Sequence, residues 1–386
     1  MKLLPRLQSR FTSPLHAERP AALLGAALGI SFTVCFVTGL YSHWAQHPPS
    51  WFTLPARPAG LYRVTQGLHV ATGIATIPLL LAKLWTVFPK LLRWPPFDDV
   101  AHALERVSLV PLIGGSLLLL FTGLANINDW YPWPFNFVVT HYWTAWITVG
   151  ALIVHVGAKW TTTWHALTPR PRTAAGPSTE MSAAERAGIV ERRNFLATVA
   201  GAVGLLTLVT IGETVAPLQK LALLAPRRPD VGPQGFPVNR SAVAAGVTTT
   251  ARDPGFTLRV EGNVRRTLTL TLDDLVRLPQ TSATLPIACV DGWSTSQRWT
   301  GIRVRDLLDL AGAPHGAHVT VESLQQRRSY RTSELDHVQA RDPDTLLATR
   351  VNGEVLHVDH GYPLRLIGPD RPGVMQTKWV ARLVVR

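Results

Sequence analysis

Cys289 is one of only two cysteines in the chain and lies in the stretch LPIACVDGWSTSQRWTG, residues 285–301. It follows an apolar run typical of a strand and precedes a Gly-Trp turn. A thiol in this position could be a small buried hydrophobe, a nucleophile or a ligand for a soft metal. The other cysteine, Cys35, lies in a distant apolar segment, so the sequence predicts no disulfide framework.

Histidines form the second group of residues that could do chemistry. Eight lie in or at the ends of apolar segments of the first half: His16, His43, His47, His69, His102, His141, His155 and His165. Polar side chains inside a bilayer are costly, so such histidines need partners. For any one of them alone, an interfacial position in contact with water or headgroups is an equally good interpretation.

The spacing of four of these histidines indicates a pair of metal sites. His141 and His155 lie on one predicted helix, about 21 Å apart along its axis and within roughly 40° of one face. His69, at the outer end of the second span, is predicted at the same membrane depth as His141. His16, at the inner end of the first span, is predicted at the same depth as His155. A four-helix bundle could therefore hold an outer haem between His69 and His141 and an inner haem between His16 and His155. His43 is the main rival for the outer site, whereas His102 and His165 are predicted to be interfacial.

This pattern, over residues 11–160, resembles the di-haem cytochrome b subunits of membrane-bound formate dehydrogenases and nickel-iron hydrogenases, in which the fourth helix carries two ligands at this spacing. The resemblance implies two b-type haems that connect the two surfaces of a membrane.

The elements that must position these histidines are long apolar segments. No charged residue occurs in 20–56, 64–82, 107–128, 130–158 or 194–212. Each stretch contains a largely apolar run near the roughly 20 residues that a helix needs to cross a bilayer. We therefore expect five membrane helices, at about 21–41, 67–88, 108–127, 141–163 and 195–214.

The net charge of the chain is +13, and the basic residues of its first half lie mostly on one side of the predicted membrane. Fourteen Lys and Arg lie in the N-terminus, the segment 83–106 and the segment 159–193, whereas the first and third connections hold only Arg57 and Arg63. By the positive-inside rule the N-terminus is cytoplasmic and the C-terminal domain lies outside the cytoplasmic (inner) membrane. A nucleic-acid partner is not expected, because from Pro217 onward 22 basic residues are interspersed with 16 acidic ones.

Two arginines precede the fifth span in ERRNFLATVAGAVGLL, residues 191–206. Arg192 and Arg193 would be explained by a signal anchor that obeys the charge rule. The RRNFL sequence also resembles the core of a twin-arginine export signal, placed internally, which would carry a folded domain across the membrane.

The predicted domains follow from these segments. They are a membrane cytochrome b domain at 1–168, a cytoplasmic linker at 169–193, an anchor helix at 194–216, a Pro-rich linker at 217–235 and an exported domain at 236–386. In the exported domain, short β-rich runs such as FTLRVEG, TLTLT and WVARLVV alternate with brief helical stretches. We expect a mixed α+β fold there.

Five ordered motifs then narrow the possibilities: CVDGWS, WTGIRVRDLLDLAG, TLLATRVNGEVL, HGYPLRL and KWVARLVV. In order and spacing, over roughly 236–386, they resemble the molybdopterin-binding domain of the sulfite oxidase family. The resemblance implies a molybdenum–molybdopterin cofactor whose metal is bound by the thiolate of Cys289. Soft sulfur donors suit such a metal. Asp291 and Trp293 are candidates for shaping the substrate pocket.

The same resemblance implies which residues contact the pterin. They are Asn239, Ser323, His360, Arg365, Gln376, Thr377 and Lys378. Arg365 and Lys378 suit the phosphate by charge and donor geometry. The chain departs from the family at two places. Relatives often have a lysine near Met375, and sulfite oxidases have an arginine shortly after the cysteine, whereas here the next arginine is Arg298.

An acidic and aromatic turn suits a sulfite dianion poorly, and the CVDGWS form is closer to periplasmic methionine-sulfoxide reductase catalytic subunits. The leading hypothesis is a membrane-anchored molybdenum oxidoreductase that takes electrons from the quinol pool through the haems and reduces small or protein-bound S-oxides or N-oxides. One alternative is oxidation of sulfite or another sulfur compound, with electrons passing to quinone. Another is a non-catalytic membrane haem protein whose outer domain binds pterin or a partner.

Overall fold

The computed structural model describes residues 13–91, 99–168, 182–326 and 330–386. Five long helices come first. They are α1 (Glu18–Gln46), α2 (Leu61–Leu91), α3 (Val100–Ile127), α4 (Phe137–Leu167) and α5 (Ala183–Ile211). All five are long and apolar enough to cross a membrane, which agrees with the five predicted spans.

Polar side chains fix where these helices begin. The Asp99 carboxylate accepts a hydrogen bond from His102 N at the start of α3, and the Asn136 side chain accepts one from Val139 N at the start of α4. Such N-caps satisfy backbone donors that have no partner inside the helix.

Helix α5 starts well before the span expected at about 195–214. Residues 183–193, the end of the predicted linker, are helical, so Arg192 and Arg193 lie on α5 itself. The remainder of that linker, 169–181, lies outside the described residues. Beyond α5, the predicted Pro-rich linker contains only two short 3₁₀ turns, Ala216–Leu221 and Pro233–Gly235.

The chain divides into two compact units. One comprises the described residues of Met1–Val37 and His69–Val209, and the other comprises Thr38–Leu68 and Thr210–Arg386. The second unit therefore takes in the end of α1, the first connection and the start of α2, which the predicted domain limits did not include.

Ten strands form two five-stranded sheets in the second unit. They are β1 (Thr257–Gly262), β2 (Leu268–Thr271), β3 (Thr281–Ala288), β4 (Ser294–Arg303), β5 (Val319–Ser323), β6 (Thr332–Leu335), β7 (Leu346–Val351), β8 (Glu354–Val355), β9 (Arg365–Ile367) and β10 (Val380–Val385). The first sheet has the order β2-β1-β10-β5-β6, with β1 and β10 parallel. The second has the order β3-β4-β7-β8, and β9 also pairs with β7.

Four short helices complete this unit: α6 (Ala242–Ala245), α7 (Leu272–Arg277), α8 (Val304–Ala311) and α9 (His337–Arg341). Its main core packs α7 and α8 on the first sheet through fully buried residues that include Leu258, Leu275, Leu307 and Leu383. Strands and short helices thus occur together, as the expected α+β domain requires. A second core cluster surrounds Cys289, with Phe236, Trp293 and Trp299 among its members.

Candidate functional site

Cys289 stands at the start of the turn that joins β3 to β4. Its backbone N–H donates to Trp293 O at 2.9 Å, and Gly292 N donates to Cys289 O at 3.2 Å. Gly292 has a φ of +100°, a conformation that glycine adopts without strain. The Gly-Trp turn read from the sequence therefore closes on the cysteine and fixes where its sulfur lies.

Asn239 connects the three residues predicted around this turn. Its Nδ2 donates to Cys289 Sγ at 2.5 Å and to Asp291 Oδ2 at 2.9 Å, while its Oδ1 accepts from Trp293 Nε1 at 3.0 Å. The structure thus brings Asn239, Cys289, Asp291 and Trp293 into one cluster. Burial, followed by the negative charge of Asp291, raises the pKa of the Cys289 thiol. In the absence of a metal the thiol is protonated, and binding a metal would release that proton.

His360 and Arg365 lie together beside this cluster. The His360 ring stacks on Phe236, with centroids 3.7 Å apart, and its Nε2 lies 2.7 Å from Pro233 O. Arg365 donates from Nη1 to His360 O and lies over the ring of Trp299. Burial and the charge of Arg365 lower the pKa of His360 to about 3, so its ring is neutral at physiological pH.

Arg365 is a buried cation without a carboxylate partner in the described part of the chain. Only 4% of it is exposed, and its Nε is buried with no hydrogen-bond partner. Burial lowers its pKa to about 10, and a negative charge on Cys289 would act in the opposite direction. Arg365 lies over the ring of Trp299, which belongs to the same buried cluster as Cys289. A buried charge of this kind is costly unless an anion accompanies it.

Lys378 lies next to Arg365. Its Nζ donates to the backbone oxygens of Arg240 and Asp359, both at 2.7 Å. Burial, followed by the charge of Arg365, lowers the pKa of Lys378. Gly361 makes this approach possible, because a Cβ at its φ of +113° would lie 3.1 Å from Arg365 Cβ and 3.2 Å from Lys378 Cβ.

The other predicted pterin contacts are engaged within the protein. Gln376 and Thr377 are buried; Gln376 Nε2 donates to Pro286 O, and Thr377 Oγ1 bonds Ser333 Oγ at 2.6 Å. Ser323 Oγ donates to Lys378 O at 2.8 Å. Gln376 Oε1 and His360 Nδ1 are buried without partners among the described residues. The site therefore offers a thiol, two cations and spare polar atoms, and this donor set fits an anionic, hydrogen-bonding group such as a pterin phosphate.

Several residues that sequence reasoning missed support the Cys289 turn. Gln66, at the start of α2, donates to Val290 O at 3.1 Å, and Thr214, just after α5, donates to Gly292 O at 2.8 Å. Arg63 donates to Thr214 O and to Ser296 Oγ. Tyr62, only 1% exposed, packs in a cluster that contains Ala288. No local motif marks these residues, because their partners lie more than 75 positions away in the chain.

Arg371 is another buried residue without a sequence signal. It donates to Glu334 O and Met375 O, and so fixes the loop that carries Gln376. An isolated bridge between Ala288 and Pro372 places the same loop beside the Cys289 turn.

In the first unit, the rings of His69 and His141 face each other at 6.2 Å between centroids. His69 Nδ1 lies 2.9 Å from Cys35 O, and His141 Nδ1 lies 2.9 Å from Thr122 Oγ1. A metal–imidazole bond is about 2 Å long and the ring centroid lies about 1 Å beyond, so two imidazoles on one metal have centroids about 6 Å apart. The geometry of this pair therefore fits axial ligands of a haem.

His155 lies at a cavity of about 1380 Å³ within the same unit. Lys83, Glu105, Arg106 and Lys159 also line it, and Glu105 pairs with Lys159 at 2.7 Å. His155 Nδ1 is buried without a partner among the described residues. A cavity with an available imidazole and surplus cations fits a haem with two propionates. His16, predicted as the second inner ligand, is not among the described residues that line this cavity, and its Nδ1 lies 3.2 Å from Thr86 O.

His43, the rival for the outer site, lies beside His47 with ring centroids 5.2 Å apart. His165 is exposed.

Comparison with known protein families identifies the kind of domain that residues 245–386 form. Residues 245–386 match the oxidoreductase molybdopterin-binding domains. These residues form a molybdopterin-binding oxidoreductase domain. The match confirms the kind of domain that the five motifs predict, and residues 245–386 are called the molybdopterin domain below.

Curated relatives are similar over part of the chain. A protein of Azospira oryzae named as a protein-methionine-sulfoxide reductase subunit, YedZ1, is 32% identical over 130 residues, 34% of this chain and 48% of that protein. The protein-methionine-sulfoxide reductase catalytic subunit of Gluconobacter oxydans is 32% identical over 143 residues, 33% of this chain and 46% of that protein. Mitochondrial sulfite oxidase of Mus musculus is 31% identical over 147 residues, 31% of this chain and 27% of that protein.

The chain thus spans less than half of the length of these relatives. Among solved structures, the sulfane dehydrogenase SoxCD of Paracoccus pantotrophus is 28% identical, covers 34% of this chain and 38% of that chain, and has a TM-score of 0.32.

Proposed function

We propose that the protein is a membrane-anchored molybdenum oxidoreductase that takes electrons from quinol through two b-type haems and reduces S-oxides or N-oxides outside the cytoplasm. A molybdenum–molybdopterin cofactor would supply the exchange of an oxygen atom and two electrons with the substrate. Cys289 would hold the metal, and Arg365 and Lys378 would hold the phosphate.

The observation that carries this proposal is the joint position of the thiol and the buried cation. Arg365 has no carboxylate partner within the described residues and lies over Trp299, a member of the buried cluster that contains Cys289. An anionic cofactor with an affinity for sulfur satisfies both groups at once. An inert core cysteine would leave the cation unexplained.

The charges around Cys289 favour a neutral substrate. Asp291 contacts the thiol directly, and no arginine lies in the turn Cys289–Trp293. A sulfite dianion would meet this carboxylate, whereas a sulfoxide carries no net charge. Two relatives of similar identity are named as methionine-sulfoxide reductase subunits, which supports the same direction.

The proposed electron path uses the histidines of the first unit. The 6.2 Å separation of His69 and His141 supports an outer haem, and the cavity at His155 supports an inner one. His16 remains the proposed second ligand of the inner haem, and quinol the proposed donor.

The first experiment measures molybdenum in full-length protein purified from a host that makes the cofactor. We expect about one atom per chain. X-ray absorption should show one sulfur ligand fewer in Cys289→Ser than in the wild type, and Cys289→Ala should lose the metal. Wild-type protein without molybdenum would refute the proposal and leave a haem protein with a non-catalytic outer domain.

The direction of electron flow is tested with the metal-loaded protein. Reduced quinone analogues should support reduction of sulfoxides, and oxidation of the haems by added sulfoxide should follow in the visible spectrum. Haem reduction on addition of sulfite would instead establish sulfite oxidation.

The proposed topology places the N-terminus in the cytoplasm and the molybdopterin domain outside the inner membrane, exported by the twin-arginine route. Replacing both Arg192 and Arg193 by lysine keeps the charge of a signal anchor but removes the twin arginines. We expect the molybdopterin domain of this variant to become resistant to protease added to spheroplasts. Unchanged sensitivity would identify a simple signal anchor.

A further inference from the structure

Glu213 lies in a tight turn that follows α5 and supports the Cys289 turn. A Cβ on Gly212 would lie 2.2 Å from Leu218 O, so the chain closes sharply at this point. Ser294 N donates to Glu213 O at 2.9 Å, and Thr214 Oγ1 donates to Gly292 O at 2.8 Å. These bonds fix Glu213 against the far end of the turn that begins at Cys289.

The carboxyl group of Glu213 is buried, and its hydrogen-bonding capacity is only partly used. Only 2% of the residue is exposed, and its Oε2 has no hydrogen-bond partner among the described residues. The guanidinium of Arg63, the cation that reaches this turn from α2, donates to Thr214 O and Ser296 Oγ. A buried polar atom without a partner is uncommon and needs an explanation.

The carboxyl group of Glu213 favours its protonated form at neutral pH. Burial, and then the negative charge of Asp291, raise its pKa to about 8. A carboxylic acid in this state holds a proton that the fold does not use. Carboxyl groups whose pKa values approach the working pH are suited to proton transfer.

We propose that Glu213 supplies protons to the reaction at the Cys289 site. This inference rests on the proposed function. Reduction of a sulfoxide breaks the S–O bond, consumes two electrons and two protons, and releases the sulfide and one water. The electrons come from quinol through the haems. Glu213 gives up its proton to the departing oxygen and is protonated again from solvent, so two such transfers form the two O–H bonds of water.

The test compares Glu213→Gln with wild-type full-length protein. Gln has nearly the same shape but no acidic proton. Glu261→Gln is the matched control, because Glu261 lies on β1 in the same unit but is ion-paired with Arg259 on β1 and with Arg382 on β10. Molybdenum content and haem spectra should be the same in all three. The kcat for sulfoxide should fall about 100-fold in Glu213→Gln alone, with little change in KM.

Two further readouts separate proton supply from packing. Wild-type kcat should fall as pH rises through about 8, and this limb should be absent from Glu213→Gln. The charged groups that face the turn are Asp291 and Arg63, and both are retained in the variant. Infrared difference spectra taken on either side of this pH should show a protonated carboxyl band that Glu213→Gln lacks.

The outcomes distinguish this inference from the proposed function. A metal-loaded wild type that reduces no S-oxide or N-oxide would overturn both. A wild type that reduces sulfoxide, with Glu213→Gln retaining its kcat and pH profile, would overturn the role of Glu213 alone. Absence of the carboxyl band from the wild type would do the same.

Discussion

At the scale of single residues, Arg365 carries an electrostatic cost that the protein alone does not offset. It is 4% exposed, its Nε has no partner among the described residues, and its Nη1 donates to the backbone oxygen of His360. Removing an isolated buried charge often stabilises a protein or leaves its stability unchanged. Arg365 is therefore better explained by a bound anion than by the fold.

Arg365→Met should separate these two roles. We expect molybdenum content to fall at least about tenfold, because one charge-assisted bond to the phosphate is lost. The metal-free protein should be equally stable or more stable, by about 1 kcal/mol in the free energy of unfolding. Arg382→Met is the control, since Arg382 is an exposed cation on β10 paired with Glu261. Normal metal retention in Arg365→Met would contradict the phosphate assignment.

His360 should make stability depend on pH. Its pKa is lowered from 6.5 to about 3, so as pH falls through this window the unfolded chain takes up a proton that the folded protein does not. Stability is full above about 6.5 and is lost toward lower pH. The melting temperature of His360→Gln should therefore decline less on acidification than that of the wild type. Asp370, whose pKa is raised to about 6, acts in the opposite direction in both proteins and cancels in the comparison. Equal declines would contradict the assignment.

The sequence was informative about residues that sit in local motifs. Cys289 with its turn, and the HGYPLR segment with His360 and Arg365, could be predicted because their neighbours in sequence are also their neighbours in space. Glu213 could not, because Gly-Glu-Thr after a span is an ordinary helix ending. Its importance comes from the contact with Ser294, 81 positions further along the chain.

At the scale of elements, helix α5 begins earlier than a prediction based on hydropathy places it. Ser182 and Glu185 form reciprocal hydrogen bonds at its start, and this capping box begins the helix at Ala183. The polar residues that follow are good helix formers, so the helix runs without a break into the apolar span. Charge patterns locate the membrane segment of such a helix but not its first turn.

Asp370 is the corresponding cap of α2, supplied from a distant loop. Its carboxylate accepts from Tyr62 N at 2.5 Å and from Tyr41 OH at 2.7 Å, and its own N–H donates to Ala59 O. By contrast, the nearby ion pair of Arg57 with Asp342 and Asp344 has a half-exposed arginine. Exposed ion pairs contribute about 0–1 kcal/mol to stability. Asp370 is therefore expected to contribute more than the Arg57 ion pair to the packing of the first connection within the second unit.

Asp370→Ala should lower the free energy of unfolding of the second unit by about 1–3 kcal/mol, because two buried donors lose their acceptor. Asp370→Asn should be close to wild type, since its side-chain oxygen can still accept and asparagine tolerates the φ of +51° found here. Arg57→Ala should change stability by less than about 1 kcal/mol. Thermal unfolding in detergent distinguishes them, and equal effects of Asp370→Ala and Arg57→Ala would contradict this ranking.

At the scale of the whole molecule, the haem assignment predicts a loss that depends on which histidine is changed. His141→Ala should remove about half of the b-type haem, because the geometry of His69 and His141 fits one haem of two. His165→Ala provides the control, as it alters an exposed histidine on the same helix. Pyridine haemochrome content per chain measures both. Unchanged haem in His141→Ala would refute the outer site.

The five long apolar helices and the kind of C-terminal domain could be predicted from sequence, because hydropathy and motif order are properties of continuous segments. The division into units could not. The hydropathy of residues 38–68 predicts the ends of two spans and their connection, yet these residues fold with residues 210–386. Only long-range contacts such as Gln66 with Val290 reveal this, and no periodicity encodes them.

The contacts of Asp370 also impose an order on biosynthesis. They join Asp370 to Tyr41 and Tyr62 across 329 and 308 positions of the chain. These contacts cannot form before Asp370 has been synthesised, and the loop-closure entropy of such long separations slows their formation. Residues 38–68 must therefore wait until almost the entire chain has been synthesised, and during that interval the Cys289 turn lacks its support from Tyr62 and Gln66. On the proposed topology this is the period in which a bulky cofactor can be inserted, and the first connection closes only afterwards. If the proposed cofactor is loaded in this interval, the connectivity of the chain makes loading the earlier step of assembly and closure the later one.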